Sequence, residues 1–213
     1  MMLRTLVGRD LRLALGQGGT MLPILFYLIV ASLLPFAVGP DRVLSARIGG
    51  GLLWIAALLA ALLPVERLID PDLSSGTIDQ LVVRGLREET IAAAKLAAHW
   101  LAFAPPLMLA TLPASALLGL EARSLARLEA GLAIGTPGLA ALSLATAALT
   151  AGLRGAGALT GLVMLPLAVP LLIFGAGAID GGAGAFKLLA AASLLLVAGA
   201  PFVAGAALRA TRD

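Results

Sequence analysis

The sequence predicts an all-α, polytopic membrane protein. It has six transmembrane helices, an N-terminal interfacial helix and a second amphipathic helix between spans two and three. Three observations predict this. Of 213 residues, 60% are hydrophobic and only 13% charged, whereas soluble domains are nearer half apolar and a quarter charged. Mean hydropathy is +1.03. The apolar residues also fall in continuous runs rather than in strand-like alternation, so they read as helices and not as barrel strands. A soluble enzyme, a disordered chain and a coiled coil are excluded.

The elements follow in order. Over residues 1–15, Leu3, Leu6, Val7, Leu11 and Ala14 recur at helical spacing, with Arg4, Arg9, Asp10 and Arg12 on the other side. Such a helix lies in the membrane interface, apolar face in lipid and arginines among head groups. Gly16-Gln17-Gly18-Gly19 then breaks the chain before it enters the membrane. A bilayer core of about 30 Å needs about 20 apolar residues per helix. Six runs approach or reach that length, at about 21–38, 48–65, 96–118, 130–153, 155–179 and 188–208. Phe36-Ala37-Val38-Gly39 loosely imitates a small-residue cleavage site. About twenty residues precede the apolar core and Pro40 would follow the cut, so an uncleaved first span is expected. The whole of 1–213 is expected to form one transmembrane domain.

Residues 66–90 are the long hydrophilic insertion. Asp72 or Ser74 can cap a short helix there, and Gly76 and Gly85 are natural stops. Ile78, Leu81 and Val82 share one face, opposite Asp79 and Gln80. A short amphipathic helix of this kind, parallel to the membrane, can press its carboxylates on a basic groove of a soluble partner. It can equally be a solvated loop that keeps charge out of lipid. Farther on, prolines punctuate spans three to five. The fifth run, with Pro166 and Pro170 and then glycines from 175 to 184, suggests a broken helix followed by a re-entrant segment. Gly131–Gly135 and Gly157–Gly161 are spacings that allow close helix approach.

Lys and Arg placement sets the orientation. With the N-terminus in the cytoplasm, ten cations (Arg4, Arg9, Arg12, Arg67, Arg84, Arg87, Lys95, Arg154, Arg209 and Arg212) lie inside, against five outside (Arg42, Arg47, Arg123, Arg127 and Lys187). The positive-inside rule favours that arrangement, with both termini cytoplasmic. The pI of about 10.2 belongs to these anchors and not to nucleic-acid binding.

Few residues suit chemistry. Cysteine is absent, which removes thiolate metal sites and c-type haem attachment. Neither lysine sits in a phosphate-binding G-x-x-x-x-G-K-[ST] loop, and no triad or paired-carboxylate site can be composed from the loops. No charge falls deep within a span, where a proton-coupled transporter would need one. Energy for any transport must therefore come from another chain. The lone His99 shares a helix face with Lys95, four residues back. It could ligate haem, carry a proton or hydrogen-bond at the interface, and the last is the ordinary use. Trp100 beside it reads as an aromatic-belt residue. Arg42 and Arg47 could hold haem propionates at the outer mouth, although interfacial anchoring is their ordinary role.

The architecture resembles the membrane subunit of a type-2 ABC exporter, and the residues resemble a narrower family. Matching text begins at Gly39-Pro40, Ala46-Arg47-Ile48, Gly51 and Trp54-Ile55-Ala56-Ala57-Leu58-Leu59. It continues through Glu66-Arg67-Leu68, Asp72-Leu73, Gly76, Asp79-Gln80-Leu81, Lys95 and Ala98-His99-Trp100. Later matches are Leu118-Gly119-Leu120, Gly135-Thr136-Pro137, Leu149-Thr150, Gly152-Leu153-Arg154, Leu165-Pro166-Leu167, Pro170 to Phe174 and Ala206-Ala207-Leu208-Arg209. In this text the chain resembles CcmB, the haem exporter B family of cytochrome c maturation. Pro64, just before Glu66, departs from the plainer helix end expected there, and the tryptophan-rich haem motif of CcmC is absent.

The resemblance implies a permease subunit in the bacterial inner membrane, without ATPase activity of its own. Its partners would be a CcmA-type ATPase, a CcmC-type haem-handling subunit, a CcmD-type small subunit and a second copy of itself. Haem would be the cargo of the complex, delivered to the periplasmic chaperone CcmE, with no cofactor bound by this chain alone. Glu66, Arg67, Asp70, Asp72, Gly76, Asp79 and Gln80 would form the segment that couples to the ATPase, with Asp70, Asp72, Asp79 and Gln80 contacting its groove. Two alternatives remain at this point. One is an exporter subunit for a lipid or glycan. The other is a non-transporting anchor through which an ATPase remodels a haem–chaperone complex.

Overall fold

The computed structural model describes residues 2–16, 19–39, 41–153 and 156–211. The middle of the Gly16–Gly19 break, Pro40, Arg154, Gly155 and Arg212 therefore lie outside the described residues, and the expectations placed on them are not taken further. Among the described residues the chain is all α-helix, with one 3-10 turn and no strand. Helix α1 is Met2–Gly16 and α2 is Met21–Val38, followed by α3, Arg42–Leu62. The 3-10 turn Val65–Arg67 leads to two short helices, α4 (Asp70–Ser74) and α5 (Thr77–Val83). Four long helices complete the chain: α6 (Glu88–Leu118), α7 (Ala122–Thr150), α8 (Ala156–Ile179) and α9 (Ala183–Ala210). Six helices are long and apolar enough to cross a membrane. Six such helices in one chain make the protein multi-pass.

The third and fourth long helices begin well before the apolar runs expected at 96 and 130. Glu88 and Glu89 occupy the first turn of α6, where the helix dipole favours carboxylates. Helix α8 runs unbroken through Pro166 and Pro170 to Ile179. The expected re-entrant segment is absent: Asp180–Gly182 is a three-residue turn into α9. Gly181 makes that turn with φ of 104°, a conformation open to glycine. Arg127 of α7 donates from Nη1 to the Ile179 carbonyl at 3.1 Å, placing a cation on the negative end of α8.

Helix α7 is the axis of the bundle, packing on α3, α6, α8 and α9. Helix α2 buries Pro23, Tyr27, Ala31 and Leu34 on one face and exposes Leu25, Ile29, Leu33 and Phe36 on others. Apolar residues on an outer face suit lipid rather than water. Buried hydroxyls stitch the helices together. Tyr27 Oη lies 3.0 Å from Thr111 Oγ1, and Ser143 Oγ donates to the Ala61 carbonyl at 3.3 Å.

The glycines read as helix-packing spacings do something more specific. Trp54 of α3 is completely buried. A methyl group added at Gly135 would lie 2.5 Å from its ring, one at Gly175 2.4 Å, and one at Gly131 3.5 Å. Residues 131 and 135 of α7 and 175 of α8 thus form a slot for one indole. At Gly157, a methyl group would meet Glu66 Oε1 at 2.2 Å. The carboxylate of Glu66 therefore rests on the first turn of α8.

Candidate functional site between α1, the α4–α5 segment and α6

The insertion between α3 and α6 folds as two short helices rather than one. Gly76 separates them in the left-handed region, with φ of 69°. Neither Asp72 nor Ser74 caps α5; its N-cap is Gly76, with no side-chain hydrogen bond. Ile78 is sealed. Leu81 and Val82 pack on a small cluster of Leu6, Leu86, Ile91 and Ala94. Asp79 and Gln80 lie on the exposed side of α5.

That small cluster corrects the reading of α1. Leu6 and Val7 face protein, namely α5 and the start of α6, rather than lipid. Leu3, Leu13 and Leu15 remain exposed. The N-terminal helix is thus docked on the insertion instead of lying apart from it.

Charges complete the docking. Asp72 of α4 accepts from Arg9 of α1 at 2.6 Å and from Lys95 of α6, both at Oδ2. Arg9 also reaches Asp10 at 2.7 Å, and Lys95 lies 3.6 Å from the second oxygen of Asp10. Burial works against the charge on Arg9, but Asp10 and Asp72 outweigh it and raise its pKa above the usual value. Two cations and two carboxylates cancel, so the group is neutral as a unit. Charges away from water are tolerated only when paired in this way. Asp72 was expected to contact a partner's groove; instead its carboxylate turns inward and joins three helices. Asp70 is half-buried, while Glu66 and Arg67 are exposed.

Lys95 and His99 share a face, as their spacing requires, and both line a cavity of about 360 Å³. His99 is 6% exposed and stacks on Phe103, ring centroids 6.0 Å apart. Its Nε2 has no hydrogen-bond partner among the described residues. Within the described residues Nε2 thus makes none of the hydrogen bonds expected of it at the interface. Trp100 is not a belt residue either: its Nε1 donates to Thr136 Oγ1 of α7 at 3.2 Å. Arg42 and Arg47 are exposed near the start of α3 and do not line this cavity. At the same end of the bundle as α1, Arg209 of α9 pairs with Glu88 and Glu89 of α6.

Sequence reasoning missed the Arg9–Asp72 pair and the Trp54 slot. Asp72 stands 63 residues from Arg9, and a single sequence carries no signal for such a pairing. The slot had a partial signal, the two glycines four apart on α7.

Comparison with known proteins agrees with this architecture. Residues 1–211 match the family model described as CcmB protein. Heme exporter protein B of Rhodobacter capsulatus is 42% identical, over 97% of this chain and 98% of that protein. Heme exporter protein B of Paracoccus denitrificans is 44% identical over the same shares. The Escherichia coli K12 protein of that name is 36% identical, over 88% of each chain.

Proposed function

The chain belongs to the CcmB family, and from that premise we propose that it is the membrane permease subunit of an ABC-type haem exporter. The complex would export haem, or deliver it to a periplasmic haem chaperone, during cytochrome c maturation. The observation that carries this reading is the whole-length match to proteins named heme exporter protein B. Composition supports it, because six apolar helices leave no room for an ATPase within this chain.

ATP would be hydrolysed on a CcmA-type subunit that docks on the α4–α5 segment. Asp79 and Gln80 on α5 and Asp70 at the start of α4 offer acceptors to a basic groove, and Gly76 sets the angle between the two short helices. Glu66 and Arg67 join this surface to α3 and to the start of α8. Asp72 acts one step inward. A push on α5 moves α4, and Asp72 carries that movement to α1 through Arg9 and to α6 through Lys95. Haem is the cargo, and the CcmC-type and CcmD-type subunits and a second copy of this chain complete the assembly. Arg42 and Arg47 serve as anchors at the far surface. The setting is the bacterial inner membrane, with both termini cytoplasmic, as the arginine distribution supports.

Co-purification tests this reading. A tagged chain drawn from native membranes should bring the ATPase, CcmC-type and CcmD-type subunits with it. Asp70→Lys with Asp79→Lys should reduce ATPase recovery by about tenfold or more, because like charges meeting across an interface cost several kcal/mol. Recovery of an ATPase together with lipid or glycan enzymes would contradict it.

A further inference from the structure

The cavity beside His99 is bounded by α1, the first turn of α2, the α4 segment and α6. Its lining is mixed. Leu13, Pro23, Ala98, Ala102 and Phe103 are apolar, while Thr20, Arg67, Lys95, His99, Asp10 and Asp72 are polar or charged. Two of those polar residues are unsatisfied. His99 Nε2 and Thr20 Oγ1 are both buried without a hydrogen-bond partner among the described residues, and both residues line this one cavity. A buried polar atom left without a partner is costly, so natural folds keep few of them.

Charge adds a third feature. Lys95 is occupied by Asp72 and Asp10. Arg67 also lines the cavity and makes no ion pair among the described residues. It is exposed, so its guanidinium is available to an anion at the rim. A volume of about 360 Å³ falls within the usual range for small-molecule sites, about 300–1,000 Å³.

We infer that this cavity is a binding site for an anionic amphiphile. The apolar body lies on Ala98, Ala102 and Phe103, the acidic group meets Arg67, and His99 and Thr20 gain the hydrogen bonds they lack. Two ligands share that chemistry: haem, through its propionates, and an anionic phospholipid, through its phosphate. The site goes beyond the proposed transport reading, since the phospholipid would fill it without any haem. It also stands where Asp72 and Lys95 join the insertion to α6, so an occupant would feel any displacement of α4.

The full chain, purified into phosphatidylcholine nanodiscs, can be titrated separately with hemin, followed in the Soret band, and with phosphatidylglycerol, followed by native mass spectrometry. One ligand should bind saturably at one equivalent. Arg67→Gln should weaken it about tenfold, equal to about 1.4 kcal/mol, and Ala102→Phe, which fills the cavity without changing charge, should abolish it. If Ala102→Phe does not accumulate, Ala98→Leu narrows the same wall. Loss of hemin binding in the variants identifies haem as the occupant, and loss of phosphatidylglycerol identifies the lipid. Failure of both ligands to saturate, or binding that folded variants leave unchanged, overturns the inference. The transport reading has its own readout: deleting the chain should abolish c-type cytochromes in cells. Unchanged cytochromes would contradict that reading and leave a phosphatidylglycerol site standing.

Discussion

Trp54 and Lys95 are both nearly sealed from solvent, yet they join their helices in opposite ways. Trp54 fits by shape. Its indole fills a slot cut by Gly131 and Gly135 of α7 and Gly175 of α8, with no space for one added methyl group at 135 or 175. Its Nε1 makes no hydrogen bond among the described residues, so packing alone retains it. Lys95 is held by charge, through Asp72 of α4 and Asp10 of α1. A gap of about 0.5–1 Å forfeits roughly a quarter to a half of the packing energy, whereas Coulomb attraction falls only as the inverse of distance. A joint made by shape is therefore stiff, and one made by charge stays attractive while it gives. The α3–α7–α8 region forms the frame, and the α1–α4–α5–α6 end is the compliant part, the one on which the proposed ATPase would push.

The largest loss should follow at the stiff joint. Trp54→Ala should cost about 3–5 kcal/mol, the usual result of emptying a buried aromatic site, read as thermal unfolding in detergent micelles. The charged joint should lose less. Asp72→Asn strands Lys95 with Asp10 alone, and removing one partner of a fully buried pair costs about 3–5 kcal/mol. Asp72 keeps 16% side-chain exposure, so about 2 kcal/mol is expected once solvent screening is allowed for. Adding Lys95→Met should restore more than half of that loss, which a double-mutant cycle would detect. No recovery would mean that the two residues do not act as a pair.

Smaller effects sharpen the same contrast. Trp100→Phe removes one hydrogen bond, to Thr136, and should cost about 1 kcal/mol while leaving ATPase recovery unchanged. Asp79→Lys lies on an exposed face and replaces an acidic residue in the first turn of α5, which should cost up to about 1 kcal/mol. It should nevertheless reduce ATPase recovery. A variant that is stable but uncoupled separates the docking surface from the joint behind it.

The frame was largely legible in the sequence, because a span is a composition signal about 20 residues long. The amphipathic face of α5 was legible for the same kind of reason, from the spacing of Ile78, Leu81 and Val82. What could not be read was which side chains meet across the chain. Asp72 looked like an exposed carboxylate because nothing near it in sequence neutralises it; Arg9 and Lys95 do so from other helices. The stripe on α1 pointed correctly to an amphipathic helix, but periodicity does not say whether lipid or protein covers the apolar face. Likewise Pro166 and Pro170 suggested a break that α8 does not make. The helix continues through both prolines, as membrane helices do where neighbouring groups re-satisfy the freed carbonyls.

The central claim is that a push on α5 moves α1 and α4 with it against a fixed frame. Because the chain has no cysteine, introduced cysteines can carry spin labels at chosen sites. Leu3 on α1, Val83 on α5 and Ile55 beside Trp54 on α3 are all exposed. In a complex with the proposed CcmA-type ATPase, ATP binding should change the Val83–Ile55 distance and leave the Val83–Leu3 distance nearly constant. In Asp72→Asn, the Val83–Leu3 distance should begin to vary. A Val83–Leu3 distance that changes with nucleotide in the unmodified joint as much as Val83–Ile55 would contradict the account.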